Sequence, residues 1–422
     1  MASTRDDYGP TALARPAQPR RDTSLNRTPQ PGVFLFGFTS APFPAPIIPL
    51  MATERTHTIR RFAAAGSLLA LAGLLMAAFG QWGAAFFPAY RSFSKAVEGA
   101  LATLFSILPF SAWDFLALAI MIVALARLVW RIATHHPISR WFANICVLAA
   151  ALVLFAVAAW GLNHYAPPLS EEIGLTVEEY SADELENATA YYLEQAAARA
   201  QSVPRNDDMT LATQDFDELA EIAGSSYSAL SREYPLFEGS TAPVKKLLLA
   251  GEPLLYSGHT GIFWPLTGEA NVPENVAAAE LPFTMCHEAA HRLGIASEQE
   301  ANFCAFLAAS SSDDARFSYA AYYSAFCYCL NALASNYPER AQALLEEAIG
   351  EEVDPSNAKT YGARLVLYDR SCASQHYQTY EGPAKEAGTA VNDTYLKTFS
   401  EESGVKSYGE VVDYLIAWQL AI

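Results

Sequence analysis

Three apolar runs dominate the first 161 residues. RRFAAAGSLLALAGLLMAAFG (Arg60–Gly80) holds about 19 apolar residues behind a basic flank, enough to cross a bilayer core as a helix. SAWDFLALAIMIVALARLVWR (Ser111–Arg131) and RWFANICVLAAALVLFAVAAWG (Arg140–Gly161) repeat the pattern. Three such runs close together, between basic or aromatic ends, predict three membrane spans over residues 59–161 rather than buried globular helices. Beyond Leu162 the pattern becomes periodic. VEEYSADELENATAYYLEQAAARAQ and DFDELAEIAGSSYSALSREY place apolar residues every three or four positions, as amphipathic helices do. KKLLLAGEPLLYSGHTGIFWPLTGEANV is apolar but broken by Gly and Pro, which predicts two or three strands with tight turns. Helical periodicity resumes at Ser297, with breaks near Pro338, Pro355 and Pro383. FSYAAYYSAFCYCLNALAS resembles a fourth span, yet its four tyrosines and the acidic amphipathic segments after it predict a buried core helix. The expected fold is mainly α: three transmembrane helices, then an α+β domain over residues 162–422. Residues 1–58 are proline-rich and non-periodic, so they are expected to be disordered, with Met51 a possible true start.

Charge sharpens the division. Up to Gly161 there are 13 basic and 6 acidic residues, a net +7; beyond it there are 14 basic and 39 acidic, a net −25. So acidic a domain repels nucleic acid and anionic headgroups, which excludes DNA or RNA as a partner. Arg55, Arg60 and Arg61 precede the first span, and Arg127, Arg131 and Arg140 flank the connection between the second and third. The connection between the first and second carries only Arg91, Lys95 and Glu98. Basic connections stay in the cytoplasm, so the amino end is expected inside the cell membrane and the acidic domain outside. No small-residue cleavage site follows the first span to mark it as a signal peptide. The six cysteines show no zinc-ribbon or CxxC spacing, and Cys286, Cys304 and Cys327 read as small buried hydrophobes.

Chemistry concentrates in LPFTMCHEAAHRLGIASEQEANFCAFLA (Leu281–Ala308). Pro282 suits a first helical turn and Gly294 the position just past a helix end, which frames a helix of about 12 residues. His287 and His291 stand at i and i+4, so both imidazoles leave one face a turn apart, as a tetrahedral zinc site needs. Glu288 lies to the side of that pair, placed to take a proton from water. Met285, Ala289 and Leu293 form an apolar row that packs the helix down. Ser297 and Glu300 have capping-box spacing for a following helix, which gives Glu300 a structural job. Glu298 is thereby favoured as third ligand, with Glu300 the alternative. Asn302, four residues after Glu298, is placed to orient a ligand imidazole. The stretch TGIFWPLTGEANV is a candidate strand along which an extended peptide would lie, or one that only supports the core. His376 and Tyr395 are minor candidates for stabilising an oxyanion, while His259 reads as a turn residue and His164 as an interfacial one.

His287-Glu288-x-x-His291 followed by an E-x-x-x-N helix resembles the gluzincin metallopeptidases, in which a glutamate helix follows the HExxH helix. The connection here is very short, and Asn302 stands where many members carry Asp. More narrowly, TGIFWPLTGEANV, the Leu281–Ala308 block and VNDTYLKTFSEESGVKSYGEVVDYLIAW resemble a bacterial family with three amino-terminal spans and an HExxH domain, filed as a domain of unknown function. The likeness runs from about Arg60 to the end. It implies a zincin-like domain with a small sheet next to the HExxH helix. The expected activity is hydrolysis of a peptide or protein substrate, with Zn2+ on His287, His291 and Glu298 and with Glu288 as general base. The alternative is a non-catalytic metal-binding sensor or scaffold, from which Glu288 would be the first residue lost. A transporter is disfavoured, since Asp114, near a span end, is poor provision of intramembrane polar groups.

Overall fold

The computed structural model describes residues 47–350, 356–398 and 411–422. Helices α1 (Ile47–Phe105), α2 (Ala112–Ala133) and α3 (Ile138–Ala159) each contain a segment long and apolar enough to cross a membrane, so this is a multi-pass membrane protein. The chain divides into Met1–Met51, of which the described part is the opening of α1, and Ala52–Ile422, which holds everything below. Helix α1 begins before the expected boundary, so residues 47–58 are helical rather than irregular; the disorder expected for residues 1–46 lies outside the described residues.

Helix α1 also runs past the expected end of the first span, through residues read as a connection. The reason is a second periodic face. Phe87, Tyr90, Ser94, Glu98 and Ala102 are all buried, spaced by three and four residues along one side. That side packs on the domain. Arg91 makes a two-pronged ion pair with Glu172 at 2.5 and 2.6 Å, Asn163 Nδ2 donates to Ser94 Oγ at 3.0 Å, and Lys95 Nζ donates to the Leu236 and Glu238 carbonyls.

After α3 come a 3₁₀ turn (Gly161–Tyr165), α4 (Leu169–Ile173), α5 (Ala182–Ala200) and α6 (Phe216–Ser225). Ser181 and Glu184 start α5 with a full capping box. Next lie β1 (Lys245–Leu247), α7 (Gly251–Tyr256), β2 (Ile262–Trp264) and β3 (Glu269–Pro273). The strands form one mixed sheet in the order β1-β3-β2, with β1 parallel and β2 antiparallel to β3. Ile262 pairs with Asn271 and Trp264 with Glu269. Helices α8 (Leu281–Arg292), α9 (Glu298–Ser310), α10 (Ala315–Asn336), α11 (Pro338–Ile349), α12 (Ala358–Gln378), α13 (Pro383–Thr398) and α14 (Val411–Ala421) follow.

Helix α10, the tyrosine-rich segment, is the centre of the core and packs against α5 and α9. Its tyrosines need polar partners when buried, which a protein interior offers and lipid does not. Tyr319 donates to Asp369, whose carboxylate also pairs with Arg205 at 2.7 Å. From α5, Tyr192 Oη reaches the Leu415 carbonyl at 2.7 Å and ties α14 down.

The start of α2 is fastened to the sheet. Phe110 forms an isolated parallel bridge with Lys246 of β1, and Ser111 N donates to the Lys246 carbonyl at 2.9 Å. The Glu269 carboxylate accepts from the amides of Ala112 (2.9 Å) and Trp113 (3.2 Å), two of the donors that a helix start leaves unpaired. Asp114 reciprocates, accepting from the amides of Leu248 (2.7 Å), Leu249 (2.9 Å) and Ala250 (3.2 Å). The polar residue near a span end is thus a fastener.

Candidate metal centre

Helix α8 is buried along its whole length, against α6, α9 and the sheet. Pro282 sits in its first turn, and Met285, Ala289 and Leu293 are in the core as expected. Its end is a Schellman motif. Gly294 takes φ +87°, its N–H bonds the His291 carbonyl (3.0 Å), and Ile295 N bonds the Ala290 carbonyl (3.2 Å). This reversal sets the Ile295 carbonyl 2.7 Å from His291 Nδ1. The ring therefore donates from Nδ1 and turns Nε2 toward the other donors, the arrangement of a metal-ligating histidine.

The same turn brings α9 back beside α8. His287, His291 and Glu298 converge, with a ligand atom from each within 4.8 Å of the others. The two Nε2 atoms are 3.0 Å apart, and Glu298 Oε2 lies 3.2 Å from that of His287 and 3.8 Å from that of His291. Ligands at 2.0–2.1 Å from a tetrahedral ion stand about 3.3 Å from one another. The donor set of two imidazole nitrogens and one carboxylate oxygen, at these spacings, fits Zn2+.

Electrostatics supports a cation there. Burial alone would raise the Glu298 carboxyl, but bonds and charge from the two histidines hold it well below the usual carboxylate range. Burial works against a charged His291, yet Glu298 outweighs it and brings the group up to about 9. Burial also lowers His287; Glu298 opposes this, and Asn302 is close enough to the ring to favour its charged form. The ionised Glu298 carboxylate thus favours positive charge beside it, as a divalent cation would supply.

Glu288 is 4% exposed, and its Oε2 has no hydrogen-bond partner. Burial first, with Glu298 adding and His291 opposing, pushes its carboxyl up to about 8. Gly261, just before β2, is pressed on this carboxylate: a Cβ there would stand 2.3 Å from Oε1. Asn302 Oδ1 accepts from Tyr328 Oη at 3.1 Å, while Asn302 Nδ2 and His287 Nδ1 have no partner.

The capping box expected at α9 is not formed. Ser297 occupies the N-cap position, but its side chain makes no cap bond. Glu300 Oε1 instead accepts from Leu169 N (2.7 Å) and Tyr414 Oη (3.2 Å), joining α4 and α14 to α9. The two acids thus face different ways, for a tertiary reason. Glu298→Gln should therefore weaken divalent-cation binding while Glu300→Ala leaves it intact. The second change should cost about 1–3 kcal/mol of stability, measured by urea unfolding, because Leu169 N loses its partner.

Two residues near the centre carried no sequence signal of their place. His259 is half-buried; burial lowers it and the charge of Glu298 opposes. Its Nδ1 lies 3.0 Å from Ser257 Oγ, which itself donates to the Leu254 carbonyl at 2.6 Å, so the ring nitrogen is the donor. Trp160, at the end of α3, donates from Nε1 to the His291 carbonyl at 2.7 Å and sets its ring edge-on to the imidazole. His164 packs edge-on to Trp160 in turn. His376 is elsewhere, with Nε2 2.6 Å from the Asn275 carbonyl. The side chain of Tyr395 lies outside the described residues.

Fold and site together define a multi-pass membrane protein whose helical domain is built round a buried HExxH helix. Residues 90–416 match the family described as protein of unknown function (DUF3810), and the chain belongs to that family. No curated protein and no solved structure matches the chain.

Proposed function

We propose that this protein is a membrane-anchored zinc metallopeptidase of the gluzincin type, with its domain on the extracytoplasmic side. The observation that carries the reading is the convergence of His287 Nε2, His291 Nε2 and Glu298 Oε2 beside a buried carboxylate with a free oxygen. Zinc held by those three residues supplies Lewis acidity toward a peptide carbonyl and lowers the pKa of water. The rest is done by the chain. Glu288, buried beside the three donors with Oε2 free of hydrogen bonds, takes a proton from water and passes it to the departing amine. Strand β2 is an edge strand with no strand on its outer side among the described residues, so an extended substrate can pair with it beside α8. The Ile295 carbonyl orients the His291 imidazole, and Asn302 lies beside the ring of His287.

Gly261 tests the placement of the base. In Gly261→Ala the new methyl collides with Glu288, so cation content should survive while turnover of a quenched fluorescent peptide mixture falls roughly 10²-fold, as an ångström of misplacement costs. Orientation has its own test. A phosphatase that matures only outside the cytoplasm, fused after Ile422, should be active, and a reporter that folds only inside should be silent; the reverse pattern would move the chemistry to the cytoplasm.

A further inference from the structure

The candidate centre lies against the ends of two membrane spans. Trp160, which bonds the His291 carbonyl, also packs on Phe263 of β2 with ring centroids 5.4 Å apart. Trp264, the last residue of β2, packs on Trp113 of the first turn of α2 at 4.4 Å. Strand β2 is therefore held between the end of α3 and the start of α2. The lipid-facing apolar surface of those helices begins close by. Phe115 and Phe155 are among the large apolar side chains exposed on α2 and α3. Phe115 is two residues past Trp113, an axial distance of about 3 Å, and Phe155 is five residues before Trp160, about 8 Å.

The domain presents more apolar surface at the same level. Leu248 (51% exposed) and Leu249 (48%) are held by their amides to Asp114 in the first turn of α2, and Ile107 (82%) projects from the connection between α1 and α2. Exposed apolar side chains fixed to the head of a span belong in the membrane interface. The opposite edge of the sheet is closed, because Phe110 bridges to Lys246. The open edge is that of β2, a strand that packs on α8.

From this we infer that the substrate is the membrane-proximal stretch of another membrane-anchored polypeptide, cut within about five residues of the end of its anchor, a span of ~16 Å of extended chain. The inference rests on the metallopeptidase reading and narrows it. An anchored strand leaves the bilayer at the height of β2 and pairs with it directly. A free peptide must enter between the domain and the membrane.

The test uses the full chain in liposomes with three probes sharing one mixed-sequence 20-residue stalk. One stalk follows a single transmembrane helix directly, one follows it through a 30-residue Gly/Ser spacer, and one is free. Cuts mapped by mass spectrometry should cluster in the first five or so stalk residues of the direct probe. The other two should be cut at least tenfold more slowly, and Glu288→Gln should cut none. Cutting of the free stalk at the same rate, or cuts spread evenly along every stalk, would overturn the inference while leaving the peptidase reading in place. If wild type and Glu288→Gln are equally inert toward all three, both fall. Release of lipid fragments instead of peptides would likewise replace the inference.

Discussion

Full-length His287→Ala, purified in detergent, should bind zinc at least ~10²-fold more weakly than the wild-type chain. Loss of a residue that only orients a ligand already costs 10–100-fold in metal affinity. Here one of three convergent donors disappears, and the two that remain are 3.8 Å apart with the ion's third contact gone. Elemental analysis after dialysis against a weak chelator reads the loss. A second readout separates it from misfolding. Zinc at 1,000 times its dissociation constant stabilises a folded protein by about 4 kcal/mol, so the wild type should melt higher with zinc and the variant should not respond. His287 Nδ1 has no hydrogen-bond partner, so truncation breaks no bond outside the donor cluster and should leave the helical circular dichroism signal in place. Equal zinc in the two proteins would remove the ligand assignment.

Glu288→Gln should behave in the opposite way, keeping zinc and losing turnover. The carboxylate is not one of the three convergent donors, and glutamine preserves its size. What disappears is the proton acceptor, so hydrolysis should fall by ~10²–10⁴. The variant should also stay folded, since Oε2 has no hydrogen bond to lose. If this variant restores every phenotype of a deletion strain, hydrolysis is not the role, and a non-catalytic metal-binding sensor or scaffold becomes the better account.

Much of this architecture was legible because its causes are local. The i, i+4 pair, Pro282 and Gly294 act within one helix, and the expected limits of α8 match the observed ones. Three long apolar runs needed only their length. What was hidden depends on distant partners. The role of Glu300 is set by Leu169 and Tyr414, 131 and 114 positions away, so a correct-looking capping spacing pointed to the wrong partner. The continuation of α1 escaped notice because residues 81–105 carry no long apolar run and include Pro88; their burial follows from a single face meeting the domain. GEPLLY, read as part of a strand region, forms the short helix α7, whose preceding amides are held by Asp114. His259 reads as a turn residue and lies just past one, Ser257–Gly258; only the folding of β2 beside α8 brings it near Glu298.

The latch between α2 and the sheet has a consequence for how the anchor and the domain can be inherited or engineered. Glu269, Asp114 and the Phe110 bridge are shared across the junction, and the buried face of α1 from Phe87 to Ala102 belongs to the domain's own interior surface. A cut at residue 161 would therefore divide one cooperative unit rather than separate two modules. Transplanting the domain onto a foreign membrane anchor should succeed only if the graft carries the second half of α1 and the opening turn of α2 with it. Recombination that exchanges anchors at the apparent boundary after α3 would yield chimeras with three orphaned amides at Leu248–Ala250 and a carboxylate at Glu269 without its helix.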